Sequence, residues 1–443
     1  MSVNKLMKCL VCISLALLLG CADTNLGKNP GRNIDSTMVE VVPDSLEKPI
    51  VKDLVEDTAV NKTARFYAGI ECDSSKLTKE ELNMWKSYSK KIGGLIKISS
   101  STLRKADTLM ARDMADLRDS CDFVFYPFSG PDFLYPITLF PDADYYFLAG
   151  LEPTGTIDTT MNAEENYFKK YTSSLNVYLQ CSFFRTLSMH NDFDSEEIDG
   201  ILPVISMLMA HRDCKIISSR FLDITENGAL VDTAGGKKPF LAEIKFFQPK
   251  SPQHEQTLYY MSANLHDRSY KESFAAYLDA TLPKHHVVTY LKAASYLMHK
   301  PYFSKIRDVI LDHSKAILED DSGIPYKYLK DWNVSLYGTY MKPLKLFGKY
   351  VYQTDLMERY ETDSVRPLNF RIGYNNPSNW LCARKINKRS DDESLAYHIV
   401  LVSPPVLGGC RIRKDLGGQR HNDILRGVWS GGTCHTAAWA YLG

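Results

Sequence analysis

The side chains best placed to do chemistry are Ser129, Asp132, Glu152 and Asp321, together with the thiol of Cys21. Ser129-Gly130-Pro131-Asp132 follows the apolar run Asp122–Phe128, which reads as a buried strand, and leads into a short helix. Ser129 suits the helix cap, Pro131 the first helical position, and Asp132 an imperfect capping box. Gly130 permits a sharp bend or a positive φ. Such a turn after a strand points free backbone N–H groups outward, the arrangement from which phosphate and carboxylate sites are built. Glu152 ends the next expected strand, 22 positions after Gly130. Rossmann-type folds put the acidic residue for a ribose hydroxyl at about that distance. SGPD is nevertheless not GxGxxG, and one glycine gives a pyrophosphate little room. The expectation is therefore a ligand-binding mouth made of Ser129, Gly130, Asp132 and Glu152, with no cofactor. The plainer alternative is a capped strand-to-helix junction, with Glu152 satisfied by local N–H groups.

Asp321 belongs to Glu319-Asp320-Asp321-Ser322-Gly323-Ile324-Pro325-Tyr326. Its DSG core lacks the flanking glycines of a trypsin-like nucleophile loop, and an Asx-type turn closed by proline explains it. Three adjacent acids suggest a cation, but the EF-hand spacing is missing. His285 and His286 are neighbours, and no HExxH or helical i, i+4 pair of histidines occurs, so no metal site is expected. GxSxG and Walker patterns are absent as well. The aromatic segments Trp332–Tyr340 and Tyr350–Tyr352 offer rings for a sugar or peptide platform, or simply core.

Cys21 carries a different chemistry. Lys5 and Lys8 precede the apolar run Cys9–Leu19, too short to span a bilayer, and Leu18-Leu19-Gly20-Cys21 resembles the lipobox of bacterial lipoproteins. That resemblance implies diacylglycerol on the Cys21 thiol, cleavage before it and acylation of the new terminus by a palmitate-like chain. Several acyl chains anchor a protein firmly, at roughly 0.8 kcal/mol per buried methylene. Ten cysteines, less Cys9, Cys12 and Cys21, leave an odd seven with no CxxC among them, so complete internal pairing and zinc-ribbon readings fail. Basic and acidic residues balance at 53 each, which gives no support for a nucleic-acid partner.

The elements that must position these groups follow from periodicity. The organisation expected is a signal peptide over 1–20, a flexible tether over 21–60, a globular body over 61–388 and a glycine-rich tail over 389–443. Within the body, helices are expected at Leu77–Ile92, Leu103–Leu117, Ala163–His190, Glu196–His211, Lys271–Asp279, His286–Met298 and Phe303–Leu318. Strands are expected at Asp122–Phe128, Asp144–Leu151, Lys215–Asp223, Phe240–Phe247, Leu258–Asn264, Val334–Tyr340 and Phe370–Tyr374, with Leu395–Val402 a further candidate in the tail. Three strands follow one another without helical spacers, which predicts an antiparallel section. The fold class is mixed α/β: one large domain around a central sheet with parallel and antiparallel parts.

Taken together, YPFSGPDFLY, GLEP at Gly150–Pro153, DDSGIPY and LYGTYMKP resemble a family of bacterial envelope lipoproteins, of the Bacteroidetes type and other Gram-negative envelopes, with no assigned activity. The resemblance spans roughly Trp85 to Ile372 and implies a compartment, the outer rather than the inner membrane, but no catalytic residues. The reading is a lipid-anchored binding or assembly module meeting an envelope ligand or protein partner. The alternative is an envelope hydrolase of polysaccharide or peptide, using Asp132, Glu152 or Asp321 as paired carboxylates.

Overall fold

The computed structural model describes residues 58–157, 159–181, 198–234, 239–344, 347, 351–386, 414–416 and 419–421. Cys21, nearly all of the tether and the candidate strand at 395–402 lie outside them. The chain divides after Lys385 into two compact units, Met1–Lys385 and Ile386–Gly443. In the second, Lys414–Leu416 pairs antiparallel with Gln419–His421.

The first unit is mixed α/β, built on an 11-stranded sheet. Its parallel centre comprises β1 (Phe123–Tyr126), β2 (Tyr145–Gly150), β6 (Ser251–Ser262), β7 (Val287–Leu291) and β8 (Ala316–Glu319), in the order β8-β7-β1-β2-β6. Beyond β6, β5 (Leu241–Gln248), β3 (Lys215–Ile224) and β4 (Leu230–Asp232) continue antiparallel, as the lack of helical spacers foretold. Beyond β8, β11 (Asn379–Lys385) runs antiparallel between β8 and β9 (Trp332–Gly338), and β10 (Val365–Arg366) closes that edge. The chain leaves β1 toward β2 and β6, then returns to the other side of β1 for β7 and β8. The carboxyl ends of β1 and β7 therefore flank a topological switch point, the place where open α/β sheets bind ligands.

Alternation along β1 shows why the sheet is covered on both faces. Val124 and Tyr126 enter a core cluster with α1 (Ala59–Tyr67), α2 (Lys79–Asp113), α3 (Ala115–Ser120), α4 (Leu134–Leu139), α5 (Glu165–Cys181) and α6 (Leu202–Ala210). Phe123 and Phe125 enter the opposite cluster with α7 (Glu272–Thr281), α8 (Ser304–His313) and α9 (Thr354–Thr362). Successive strand side chains point to opposite faces, so four apolar residues in a row require two apolar layers.

Several expected elements are corrected. The helices at Leu77–Ile92 and Leu103–Leu117 are one 35-residue helix, α2, ending at Asp113, with α3 after it. Thr78 caps it as foreseen: its Oγ1 accepts from Glu81 N, while Glu81 Oε2 accepts from Thr78 N. The buried stripe Trp85, Tyr88, Ile92, Ser99, Leu103, Ala106, Met110 continues at helical spacing across Gly93-Gly94, and outweighs the roughly 1 kcal/mol that each interior glycine costs. His286–Met298 is no helix. Its first part is strand β7, whose β-branched Val287, Val288 and Thr289 are fully buried in parallel pairing. Phe303–Leu318 splits into α8 and strand β8. Phe370–Tyr374 is irregular, and the strand lies instead at β11. Of the helix expected at Glu196–His211, residues 196–197 lie outside the described residues, and the helix that forms, α6, begins at Leu202 with Pro203 in its first turn. Among the described residues no helix is long and apolar enough to cross a membrane. Cys121, Cys214 and Cys382 are buried free thiols, as expected of apolar fillers.

Candidate functional site at the carboxyl edge of the sheet

The turn after β1 is built differently from the expected cap. The short helix α4 starts from Phe133, and Ser129 makes no cap bond to it. Ser129 instead ties β1 to β2: its N–H and that of Gly130 both donate to Ala149 O, and its Oγ accepts from Ala149 N at 3.1 Å. The N–H groups that a phosphate would need are thus spent on the neighbouring strand. Gly130 does take a positive φ, +53°, and a Cβ there would lie 3.4 Å from Glu152 Oε1.

Asp132, 1% exposed, is the hub of the switch point. Its Oδ1 accepts from Tyr178 OH at 2.6 Å and from Tyr135 N at 3.4 Å. Its Oδ2 accepts from Tyr126 OH at 3.1 Å and lies 2.5 Å from Lys292 Nζ, at the end of β7. The lysine contact is a close ion pair whose angles fall outside those of a directed hydrogen bond. Lys292 also rests on the Tyr135 ring, 3.4 Å from its centroid, a cation–π contact inside the protein. Burial pushes the Lys292 amine below its usual range, and the Asp132 charge opposes that shift.

Glu152 is completely buried at the end of β2. The room it occupies exists because its neighbours are glycines, since a Cβ on Gly150 would come within 2.3 Å of Oε2. Tyr260 OH donates to the Glu152 carbonyl at 2.9 Å and reaches Oε2 only at 3.4 Å, while Oε1 has no hydrogen-bond partner among the described residues. With no cation paired to it among the described residues, burial pushes its pKa from 4.5 up to about 7. The local N–H groups of Glu152 and Leu151 pull the value down, as the capped-junction alternative expects, but do not offset burial.

The third part joins the loops after β7 and β8. Asp320 Oδ2 accepts from Ala293 N at 2.9 Å and its Oδ1 from Ser322 N, the Asx-type turn expected of this stretch, centred one residue earlier. Asp321 Oδ2 accepts from Tyr296 OH and Oδ1 from Asn379 Nδ2, and burial raises its pKa to about 7. Glu319 Oε2 accepts from Ile324 N, and burial holds its carboxyl well above the usual range. These bonds hold an unusual backbone, for Ala293, Ser295 and Tyr296 all have φ near +55°. Left-handed conformations at non-glycine residues cost of order 1–3 kcal/mol each and persist only where their surroundings over-determine them. Tyr374 OH completes the clamp, donating to Ala293 O and meeting Ser295 Oγ at 2.6 Å.

Ser129, Gly130, Asp132, Glu152 and Asp321 thus all lie at the carboxyl edge of the parallel strands, the first four around the β1–β2 turn and Asp321 behind β8. Sequence reasoning missed Lys292, Tyr178, Tyr296 and Asn379. A lysine directly after an apolar run that ends in Tyr-Leu was the available signal for Lys292, had that run been read as a strand. No cluster of histidine, cysteine or acidic groups among the described residues is arranged to hold a metal. The aromatic segment at β9 supplies core: Leu336 and Tyr337 are buried, as is Tyr340 just beyond. No family model, curated protein or solved structure matches this chain.

Proposed function

We propose that the chain is a lipoprotein of the bacterial envelope, held by lipid on Cys21 in the outer membrane, whose α/β body is a binding or assembly module. The lipobox-like Leu18-Leu19-Gly20-Cys21 supports the anchor. The observation that carries the module reading is the state of Asp132, both of whose oxygens are taken by Tyr178, Tyr126, Tyr135 N–H and Lys292. At the place where a doubly wound sheet would hold a reacting ligand, this chain uses its ionisable groups to lock its own strands together. Such a lock gives a rigid scaffold with its ligand-facing surface elsewhere. The anchor is tested by substituting Cys21→Ser and fractionating cells. Release of the variant into the soluble fraction is expected, and unchanged membrane retention refutes the anchor.

One observation favours the hydrolase alternative enough to test it. Glu152 and Asp321 both have pKa values near 7, suited to a general acid. If envelope polysaccharide or peptide is hydrolysed by the purified chain and the activity disappears in both Glu152→Gln and Asp321→Asn, the module reading gives way to the enzyme.

A further inference from the structure

At the opposite end of the parallel strands lies a cleft of about 430 Å³, between the first residues of β1 and β2, the β3–β4 turn and the last turn of α7. This volume falls within the range of small-molecule sites. We infer that the cleft binds a pyranose sugar, as a mono- or disaccharide unit, with its ring faces against Tyr145, Tyr259 and Tyr277 and its hydroxyls on Asn227, Thr281 and His285.

The rings are held from behind. Phe147 packs against both Tyr259 and Tyr277, at centroid distances of 6.1 and 5.9 Å, and Phe123 stacks on Tyr145 at 5.8 Å. The turn that forms one wall is pressed onto α7: Gly228 has φ +82°, and a Cβ there would come within 2.5 Å of the Ala276 backbone. These walls are therefore rigid before any ligand arrives, which lowers the ordering cost of binding.

The polar groups select the ligand class. Asp122 anchors His285, with Oδ2 2.9 Å from Nδ1, while its Oδ1 accepts from His286 N. That contact leaves Nε2 of His285 without a partner among the described residues, in a ring that lines the cleft. Glu243, behind Tyr259, is taken by Arg220 and by Tyr259 OH. Asn227 accepts from Thr225 OH through its carbonyl oxygen, which leaves its amide nitrogen to donate. The cleft therefore offers the Lys284 amine at its rim and the donors and acceptors of Asn227, Thr281 and His285, set beside the half-buried Tyr145 ring and the edges of the more buried Tyr259 and Tyr277. A pyranose offers the complement, an apolar C–H face rimmed by hydroxyls. A purely apolar aromatic ligand would leave the polar groups unmatched. An extended peptide cannot add to β1 or β2, which are each paired on both sides.

This inference deepens the binding-module reading and rests on it. Anchoring is read by fractionation, so failure at the cleft and failure of the anchor are separable. The experiment is saturation-transfer NMR on the purified full-length chain, with cellobiose and N,N′-diacetylchitobiose as probes. Transfer to ring protons of at least one disaccharide is expected, with affinity reduced about tenfold by Tyr145→Ala and severalfold by His285→Gln, which keeps the shape of the wall if the tyrosine variant does not fold. No transfer to either sugar at millimolar concentration overturns the proposal. So does an affinity that neither substitution lowers, or one lowered only by Glu152→Gln, which would move the site to the carboxyl edge.

Discussion

Replacing Glu152 with glutamine removes one buried charge and changes little else, so its effect on stability can be worked out in advance. Burial raises the Glu152 pKa from 4.5 to about 7 on folding, so the native state binds its proton more tightly than the unfolded chain does. Below pH 4.5 both states are protonated and the group costs nothing. As pH rises toward 7 the unfolded chain ionises first, and stability falls by up to about 1.4 kcal/mol per pH unit. Above pH 7 the loss levels off at about 3 kcal/mol, the shift of some 2.5 units converted to free energy. Glu152→Gln abolishes this term while Asp321 and Glu319, also raised by burial, still titrate in both proteins. Subtracting the two curves therefore isolates Glu152. Urea unfolding of the full-length chain at intervals from pH 5 to 8.5 measures it. The variant should match the wild type within about 1 kcal/mol at pH 5 and exceed it by about 3 kcal/mol at pH 8.5. Parallel curves for the two proteins would refute the claim that Glu152 is buried without a compensating cation.

Two further substitutions test the lock at the switch point. Asp132→Asn leaves Lys292 buried between the Tyr135 and Tyr178 rings, with the Asp320 charge as its remaining electrostatic support, and should cost about 3–5 kcal/mol. Lys292→Met should cost less, because Tyr126 and Tyr178 still donate to Asp132, and the double variant should fall well short of the sum; additive losses in chemical denaturation would mean that the pair is not coupled. Ala293→Gly relieves a left-handed residue at φ +53° and should stabilise the chain by about 1 kcal/mol, whereas a loss of stability would show that the loop is not strained there.

What could be read from the sequence divides along physical lines. β1 and β2 were legible because short aromatic runs are bounded by Pro127 and by Gly150, and α2 announced its start through Thr78 and Glu81. The antiparallel section was legible from strands with no room for a helix between them. β7 was not, because Val287–Leu291 leads directly into Lys292-Ala293-Ala294-Ser295-Tyr296-Leu297-Met298, a stretch of good helix formers. Tertiary bonds from Asp320, Asp321, Ser322 and Tyr374 hold that stretch in its left-handed path. β8 directly follows α8 with no glycine or proline to mark the join. Without those two strands the switch point is invisible, and so is Lys292 as the partner of Asp132. Ser129, Asp132 and Glu152 were found by spacing, while their roles depended on which strand lies beside β1.

The most direct measurement is hydrogen–deuterium exchange on the full-length chain with and without a disaccharide that shows saturation transfer. Binding at the cleft should protect 227–230 and 281–285 and leave 129–132 and 150–154 unchanged. Protection confined to the carboxyl edge, or none at the cleft, would contradict the division proposed between a locked switch point and a ligand site at the other end of the strands.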